Sequence, residues 1–194
     1  MAEVPSTFRL ERGAAAPDFS LVDGHGNAYS LAQIASERRA VVIAFVCNHC
    51  PFVIHLADAL GACAREYLAK GVQFVAVNAN DVANYPDDAP EKMPAFAQSH
   101  SWDFPYLYDE SQEVAKAYAA ACTPDFYVFD GDLKLAYAGQ FDSTRPGRGD
   151  EITGADLRAA IDAVLESGEG PAQPWQPSSG CNIKWKAGNA PDYF

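Results

Sequence analysis

Long apolar runs alternate with helical periodicity along the first half of the chain. Residues 40–46 (AVVIAFV) and 72–78 (VQFVAVN) are apolar almost throughout, as is typical of strands buried on both faces of a sheet. Between them, apolar residues recur at spacings of three and four, at Val53, Leu56, Leu60, Cys63 and Tyr67. This stripe predicts a helix. A strand, a helix and a strand in this order predict two parallel strands joined by a helical crossover.

Shorter segments extend the same α/β pattern. Two pairs of strand-like segments flank turn residues and predict hairpins, the first at 19–22 and 28–30, the second at 125–129 and 133–137 around Asp130-Gly131. Helices are predicted at 111–121 and 156–166. We therefore expect a central mixed β-sheet flanked by helices, with an N-terminal β-hairpin.

The composition changes after Ser167. Residues 168–180 contain three prolines and three glycines, which predicts irregular structure. The tail beyond them carries Trp185, Tyr193 and Phe194, and such aromatic residues favour docking onto a core. We predict one domain over residues 1–168, followed over 169–194 by a linker and an irregular C-terminal tail that docks on it.

Composition excludes some partners. The chain has 194 residues, 48% of them hydrophobic, and a net charge of −12. An acidic surface repels phosphate groups, so neither nucleic acid nor an anionic membrane is an expected partner. The N-terminal residues lack an apolar export segment, and the longest apolar run, 40–47, is too short to span a bilayer. The expected location is the cytoplasm.

The sequence Cys47-Asn48-His49-Cys50 carries the strongest chemical signal. It lies between the predicted strand ending at residue 46 and a helix beginning near Pro51. Two cysteines in this spacing can approach within disulfide range, and a helix N-terminus favours the thiolate that attacks a disulfide. The pair therefore predicts redox chemistry. Pro51 would make Cys50 the N-cap residue, and in the simplest geometry Cys47 is the more exposed, attacking thiol, but the sequence leaves that choice open.

A metal site is the alternative of another class. Zinc commonly takes two such cysteine pairs, or one pair and two histidines, and no second half is present as a motif. Only the fold could add His55, Cys122 or Cys181 to Cys47 and Cys50. The primary expectation is a site without metal or organic cofactor.

Several motifs in order resemble the peroxiredoxin-related AhpC/TSA redoxins, which have a thioredoxin-like fold. The matching segments are residues 45–53 (FVCNHCPFV), 16–21 (APDFSL), 102–109 (WDFPYLYD) and Thr123-Pro124. The last resembles the threonine–cis-proline loop that faces the thiols in thioredoxin folds. The resemblance implies that Thr123 and Pro124 lie opposite Cys47 and Cys50 and bind the substrate.

The same resemblance suggests a second activity. In peroxiredoxins the cysteine that attacks peroxide precedes a proline and follows a threonine or serine by three residues. Cys50 takes that position here, but Cys47 replaces the hydroxyl residue and Ile43 replaces the expected proline. Arg145 is the nearest match to the arginine of the peroxidatic site. Dithiol exchange is therefore favoured over peroxidase action.

The sequence thus predicts a thiol–disulfide oxidoreductase that cycles Cys47 and Cys50 between dithiol and disulfide. Its partners would be protein or small-molecule disulfides and thiols, with peroxides as the second substrate class; the oligomeric state is not predicted. Cys63 is interpreted as a buried structural thiol. Cys122 and Cys181 are candidate accessory thiols, Cys122 because it precedes Thr123 and Cys181 because it follows the flexible linker.

Overall fold

A seven-stranded mixed sheet forms the centre of the molecule in the computed structural model, which describes residues 3–194. The strands are β1 (Glu3–Pro5), β2 (Ser20–Asp23), β3 (Ala28–Ser30), β4 (Ala40–Phe45), β5 (Val72–Asn78), β6 (Tyr106–Tyr108), β7 (Cys122–Thr123), β8 (Asp125–Asp130), β9 (Leu135–Gly139) and β10 (Ser179–Asn182). The α-helices are α1 (Leu31–Ala35), α2 (Pro51–Leu68), α3 (Met93–Ser99), α4 (Glu113–Ala117) and α5 (Ala155–Ser167). The strand order in the main sheet is β3-β2-β6-β5-β4-β8-β9.

Strand β4 lies between β5 and β8 in the main sheet and leads into the segment that carries Cys47 and Cys50. It is parallel to β5 and antiparallel to β8, and every one of its residues is buried. This burial explains its uninterrupted apolar sequence, because a strand covered on both faces has no solvent side. Helix α2 follows β4 directly and buries the predicted stripe that includes Val53, Leu60 and Tyr67.

A second sheet of three short strands joins the two ends of the chain, in the order β1-β10-β7. Strand β10 pairs antiparallel with β1 on one side and with β7 on the other. The tail continues against the body: the hydroxyl of Tyr193 donates to the carbonyl of Ala120 at 3.2 Å, and the rings of Trp185 and Phe194 lie 6.4 Å apart. The C-terminal residues therefore pack beside the end of β7.

Two predicted segments differ from the structure. The linker predicted to be irregular to residue 180 already forms β10 from Ser179, because pairing with β1 and β7 supplies its hydrogen bonds. The helix predicted over 111–121 is confined to α4, since Gln112 and Ala119 have φ angles of 66° and 52°. Such left-handed backbone cannot continue a right-handed helix.

Within residues 3–194, no helix combines the length and apolar character needed to cross a bilayer.

Candidate active site

Cys50 caps the N-terminus of α2. Its backbone is extended, with φ −72° and ψ 121°, and Pro51 occupies the first helical position. Its carbonyl accepts from the amides of Val53 and Ile54, which begins the helix. The Cys50 sulfur consequently lies at the positive end of an 18-residue helix, where a negative charge is stabilised.

Cys47 and Cys50 influence each other's ionisation, and a hydrogen bond from Cys47 is the largest cause of the shift in the pKa of Cys50. This bond, with further donors at Thr123 and Cys181, outweighs burial and lowers the pKa of Cys50 to about 5. Burial, followed by the hydrogen bond to Cys50, raises the pKa of Cys47. Both residues are buried, at 1% and 0% exposure, so exposure does not distinguish the attacking thiol. The electrostatics favour Cys50 as the thiolate.

The loop that carries Thr123 and Pro124 lies against both sulfurs. The peptide bond between these residues is cis. The Thr123 carbonyl is 3.1 Å from Cys50 Sγ and its hydroxyl is 3.6 Å from Cys47 Sγ. The strand register accounts for this placement, since Asp125 of β8 pairs with Phe45 at the end of β4. Tertiary pairing thus brings together two motifs that are 73 residues apart.

His49 forms an ion pair that the sequence did not reveal. Its Nδ1 lies 2.6 Å from Oδ2 of Asp88, and its ring stacks on Tyr85 with centroids 5.6 Å apart. The hydrogen bond to Asp88 raises the pKa of His49 above its usual 6.5. Burial alone would raise the pKa of Asp88, but donors led by His49 lower it. A fixed positive charge is therefore favoured beside the thiols.

Asp88 also organises the loop between the cysteines. Its Oδ1 accepts from the backbone amides of Asn48 and His49, at 2.8 and 3.2 Å, and its Oδ2 accepts from Asn80 at 2.8 Å. Asp88 lies in a proline-rich segment beyond the end of β5, where the sequence pattern singled out no site residue. The sequence signal that could have indicated a functional Asp88 was its position after a buried strand. The neighbouring Asp87 shares that position, so the signal did not distinguish the two residues.

The remaining cysteines differ in their relation to the pair. Cys63 lies in the apolar stripe of α2, where burial raises its pKa to about 12. Cys122 is buried and its thiol donates to the Pro124 carbonyl at 3.5 Å, and burial raises its pKa as well. Cys181 in β10 hydrogen-bonds the Cys50 sulfur. Of these three thiols, Cys181 is the one whose side chain contributes a hydrogen bond to the lowered pKa of Cys50.

Two residues proposed from the sequence have other partners. The Arg145 guanidinium donates to Gln140, Asp142 and Thr144 rather than to a cysteine. His55 Nε2 lies 3.0 Å from the Thr144 hydroxyl. Neither contact places these side chains on the thiols.

The structure groups a different set of metal-type ligands. Among the described residues, Cys47, His49 and Asp88 bring one ligand atom each within 4.8 Å of the others. His55, Cys122 and Cys181, which the sequence suggested, do not belong to this set. Because the His49 nitrogen nearest Cys47 already pairs with Asp88, the geometry is that of a hydrogen-bonded ion pair.

Comparison with known proteins assigns the family. Residues 12–138 match the AhpC/TSA family, and the chain belongs to that family. The "Putative peroxiredoxin Rv2521" of Mycobacterium tuberculosis (strain ATCC 25618 / H37Rv) is 30% identical over 59% of this chain and 67% of its own length. A crystal structure of an uncharacterized conserved protein from Geobacillus kaustophilus is 51% identical, with a TM-score of 0.90 over 96% of this chain and 97% of that one.

More distant structures share the fold. The thioredoxin domain of a thiol-disulfide oxidoreductase from Bacteroides vulgatus superposes with a TM-score of 0.58 at 18% identity, covering 77% of this chain and 97% of that one. The expected α/β thioredoxin-like fold is confirmed. Family and fold together identify an oxidoreductase.

Proposed function

We propose that the protein is a thiol–disulfide oxidoreductase that cycles Cys47 and Cys50 between dithiol and disulfide. The observation that supports this most directly is that both sulfurs lie against Thr123 at the N-terminus of α2, with Cys50 Sγ 3.1 Å from its carbonyl oxygen and Cys47 Sγ 3.6 Å from its hydroxyl. The pKa of Cys50, about 5, keeps this residue ionised at neutral pH, and the thiolate is the form that attacks a disulfide.

In the proposed reaction the Cys50 thiolate attacks one sulfur of a substrate disulfide and displaces the other as a thiolate. Cys47 then attacks the mixed disulfide at Cys50, releases the second substrate thiol and completes the internal disulfide. Two electrons pass from the cysteine pair to the substrate. Thr123 and Pro124, whose loop touches both sulfurs, are proposed to bind the substrate beside them.

The test is disulfide mapping combined with exchange kinetics. Reduced protein is mixed with a small aromatic disulfide, and the chromophoric thiolate released is followed before acid quenching and peptide mapping. We expect the wild type to form a Cys47–Cys50 bond and Cys50→Ser to lose the fast phase. Cys63→Ser is the matched control, because it removes a buried thiol of the same helix away from the pair, and it should react like the wild type. An unchanged fast phase in Cys50→Ser would refute the proposal.

Thiol-dependent peroxide reduction is the second candidate. Its support is the lowered pKa of Cys50, together with a hydroxyl group beside the pair, that of Thr123, which lies 3.6 Å from Cys47 Sγ. Arg145 is engaged with Gln140 and Asp142 and offers Cys50 no such contact. Stopped-flow mixing with hydrogen peroxide separates the candidates: a sulfenic acid formed at Cys50 faster than disulfide exchange would favour the peroxidase.

A further inference from the structure

Strand β10 lies directly against the loop that holds the dithiol. Cys181 pairs with Thr123 and Asn182 with Cys122 in an antiparallel ladder. The approach is close enough to require glycine at position 180, where an added Cβ would lie 2.0 Å from the Thr123 carbonyl oxygen. The same carbonyl faces Cys50 Sγ at 3.1 Å. The C-terminal strand therefore forms one wall of the site.

This wall contributes a sulfur to the site. Cys181 lies opposite Thr123, whose carbonyl oxygen is 3.1 Å from Cys50 Sγ and whose hydroxyl donates to the Cys181 carbonyl at 3.4 Å. At this distance the Cys181 side chain lowers the pKa of Cys50, and Cys50 raises the pKa of Cys181. Cys50 thus has two thiol neighbours, Cys47 from its own loop and Cys181 from a segment 131 positions later in the sequence. Cys122 provides a contrast, because its thiol is turned to the Pro124 carbonyl.

We propose that Cys181 is a third redox-active thiol, which exchanges with the Cys47–Cys50 disulfide to form a Cys50–Cys181 disulfide. The proposal rests on the dithiol function proposed above. In the exchange, the Cys181 thiolate attacks Cys50 Sγ, the Cys50–Cys181 bond forms, and the Cys47–Cys50 bond breaks. Cys47 leaves as a thiolate and takes up the proton that Cys181 has lost, so no external oxidant or reductant is consumed.

The reactivity of Cys181 depends on whether the Cys47–Cys50 pair is reduced or oxidised, because reduced Cys50 carries a negative charge. Burial is the main cause that raises the pKa of Cys181 to about 12, and the hydrogen bond and charge of Cys50 add to it. When Cys50 enters a disulfide, it loses its negative charge. The contribution of that charge to the raised pKa of Cys181 is then removed, so Cys181 ionises more readily. Cys181 is thus held as a thiol beside the reduced pair and becomes more reactive once the pair is oxidised.

The decisive experiment removes the first partner of Cys50. The Cys47→Ser variant, checked for native circular dichroism, is oxidised with diamide, a two-electron thiol oxidant, then acid-quenched, alkylated and mapped. We expect loss of two of its four remaining thiols and a Cys50–Cys181 peptide pair in monomeric protein. Cys47→Ser/Cys181→Ser should form no internal disulfide, whereas Cys47→Ser/Cys122→Ser should form it as before. Oxidised Cys47→Ser protein that keeps Cys181 free would overturn the proposal.

A second measurement uses the chain with Cys47 in place, in case the variant does not fold. Oxidised wild-type protein is acid-quenched and its disulfides are quantified; we expect a Cys50–Cys181 fraction that persists in Cys122→Ser and is lost in Cys181→Ser. Absence of that fraction alongside a Cys47–Cys50 disulfide would overturn the role of Cys181 and leave the proposed function intact. Absence of both disulfides would contradict the proposed function itself.

Discussion

The Nδ1 atom of His49 lies 2.6 Å from Oδ2 of Asp88 and 3.9 Å from the sulfur of Cys47. Because a carboxylate accepts hydrogen bonds, this nitrogen carries a hydrogen and donates a hydrogen bond to Asp88. It therefore has no free lone pair with which to take the proton of Cys47. His49 acts in this geometry as a positioned charge rather than as a general base, and the thiolate depends on hydrogen bonds and on the helix terminus.

The first prediction concerns the ionisation of Cys50. Thiolate absorbance near 240 nm should increase with a midpoint close to pH 5 in the wild type. In Cys47→Ala the midpoint should move upward by about 1 to 2 units, because the thiolate loses its main hydrogen-bond donor. Cys63→Ser should leave the low transition unchanged. Absorbance that increases only above pH 8 in the wild type would contradict the assignment of the thiolate.

The second prediction tests the pairing of His49 with Asp88. The pKa of His49 is raised mainly by this hydrogen bond, so Asp88→Asn should lower the midpoint of its imidazole proton resonance by roughly 1 unit. Asp87→Asn is the matched control, since Asp87 is adjacent and exposed and its carboxylate pairs with Lys92 at 3.0 Å. Equal midpoints in the two variants would show that Asp88 does not hold the charge on His49.

The third prediction concerns the packing of β10. Gly180→Ala would place a methyl group against the Thr123 carbonyl and should lower the free energy of unfolding by about 1–3 kcal/mol, as overpacking does. Displacing β10 should also expose the buried pair and accelerate its alkylation. Gly131→Ala is the control, because its added Cβ would meet its nearest backbone atom at 3.4 Å. Urea unfolding and timed alkylation measure the two effects, and parallel results for both variants would argue against the tight β10 contact.

The fourth prediction concerns the pH dependence of stability that Asp125 causes; this residue directly follows the cis proline Pro124. Burial raises the pKa of Asp125 to about 6 from 3.8, although Ser6 donates to the carboxylate at 2.7 Å. The folded state therefore binds more protons than the unfolded state between these values, and stability should fall as pH increases from about 4 to 6, by about 3 kcal/mol at most.

Asp125→Asn removes this titration, so its unfolding free energy relative to wild type should rise across the same pH interval. Asp132→Asn, at an exposed turn position, should follow the wild type. Urea unfolding at pH 4 and pH 7 is the measurement. A difference between wild type and Asp125→Asn that stays constant with pH would show that Asp125 does not titrate in this range.

The local sequence was sufficient for much of the fold. The apolar run of β4, the stripe of α2 and the turn at Asp130-Gly131 each encode burial or backbone angles within a few residues, so they predicted their elements. The Cys47–Cys50 spacing before Pro51 likewise predicted a pair at a helix N-terminus, because capping is also a local property.

The resemblance already implied that Thr123 and Pro124 lie opposite the pair, whereas tertiary structure alone decided how Asp88 and Cys181 are placed beside it. Asp88 reaches His49 because a loop beyond β5 folds over the end of the neighbouring strand, and Cys181 reaches Cys50 because β10 pairs with β7. Both contacts depend on strand pairing between distant segments, and no periodicity or spacing in the chain encodes such pairing. Burial of both sulfurs arises from the same packing.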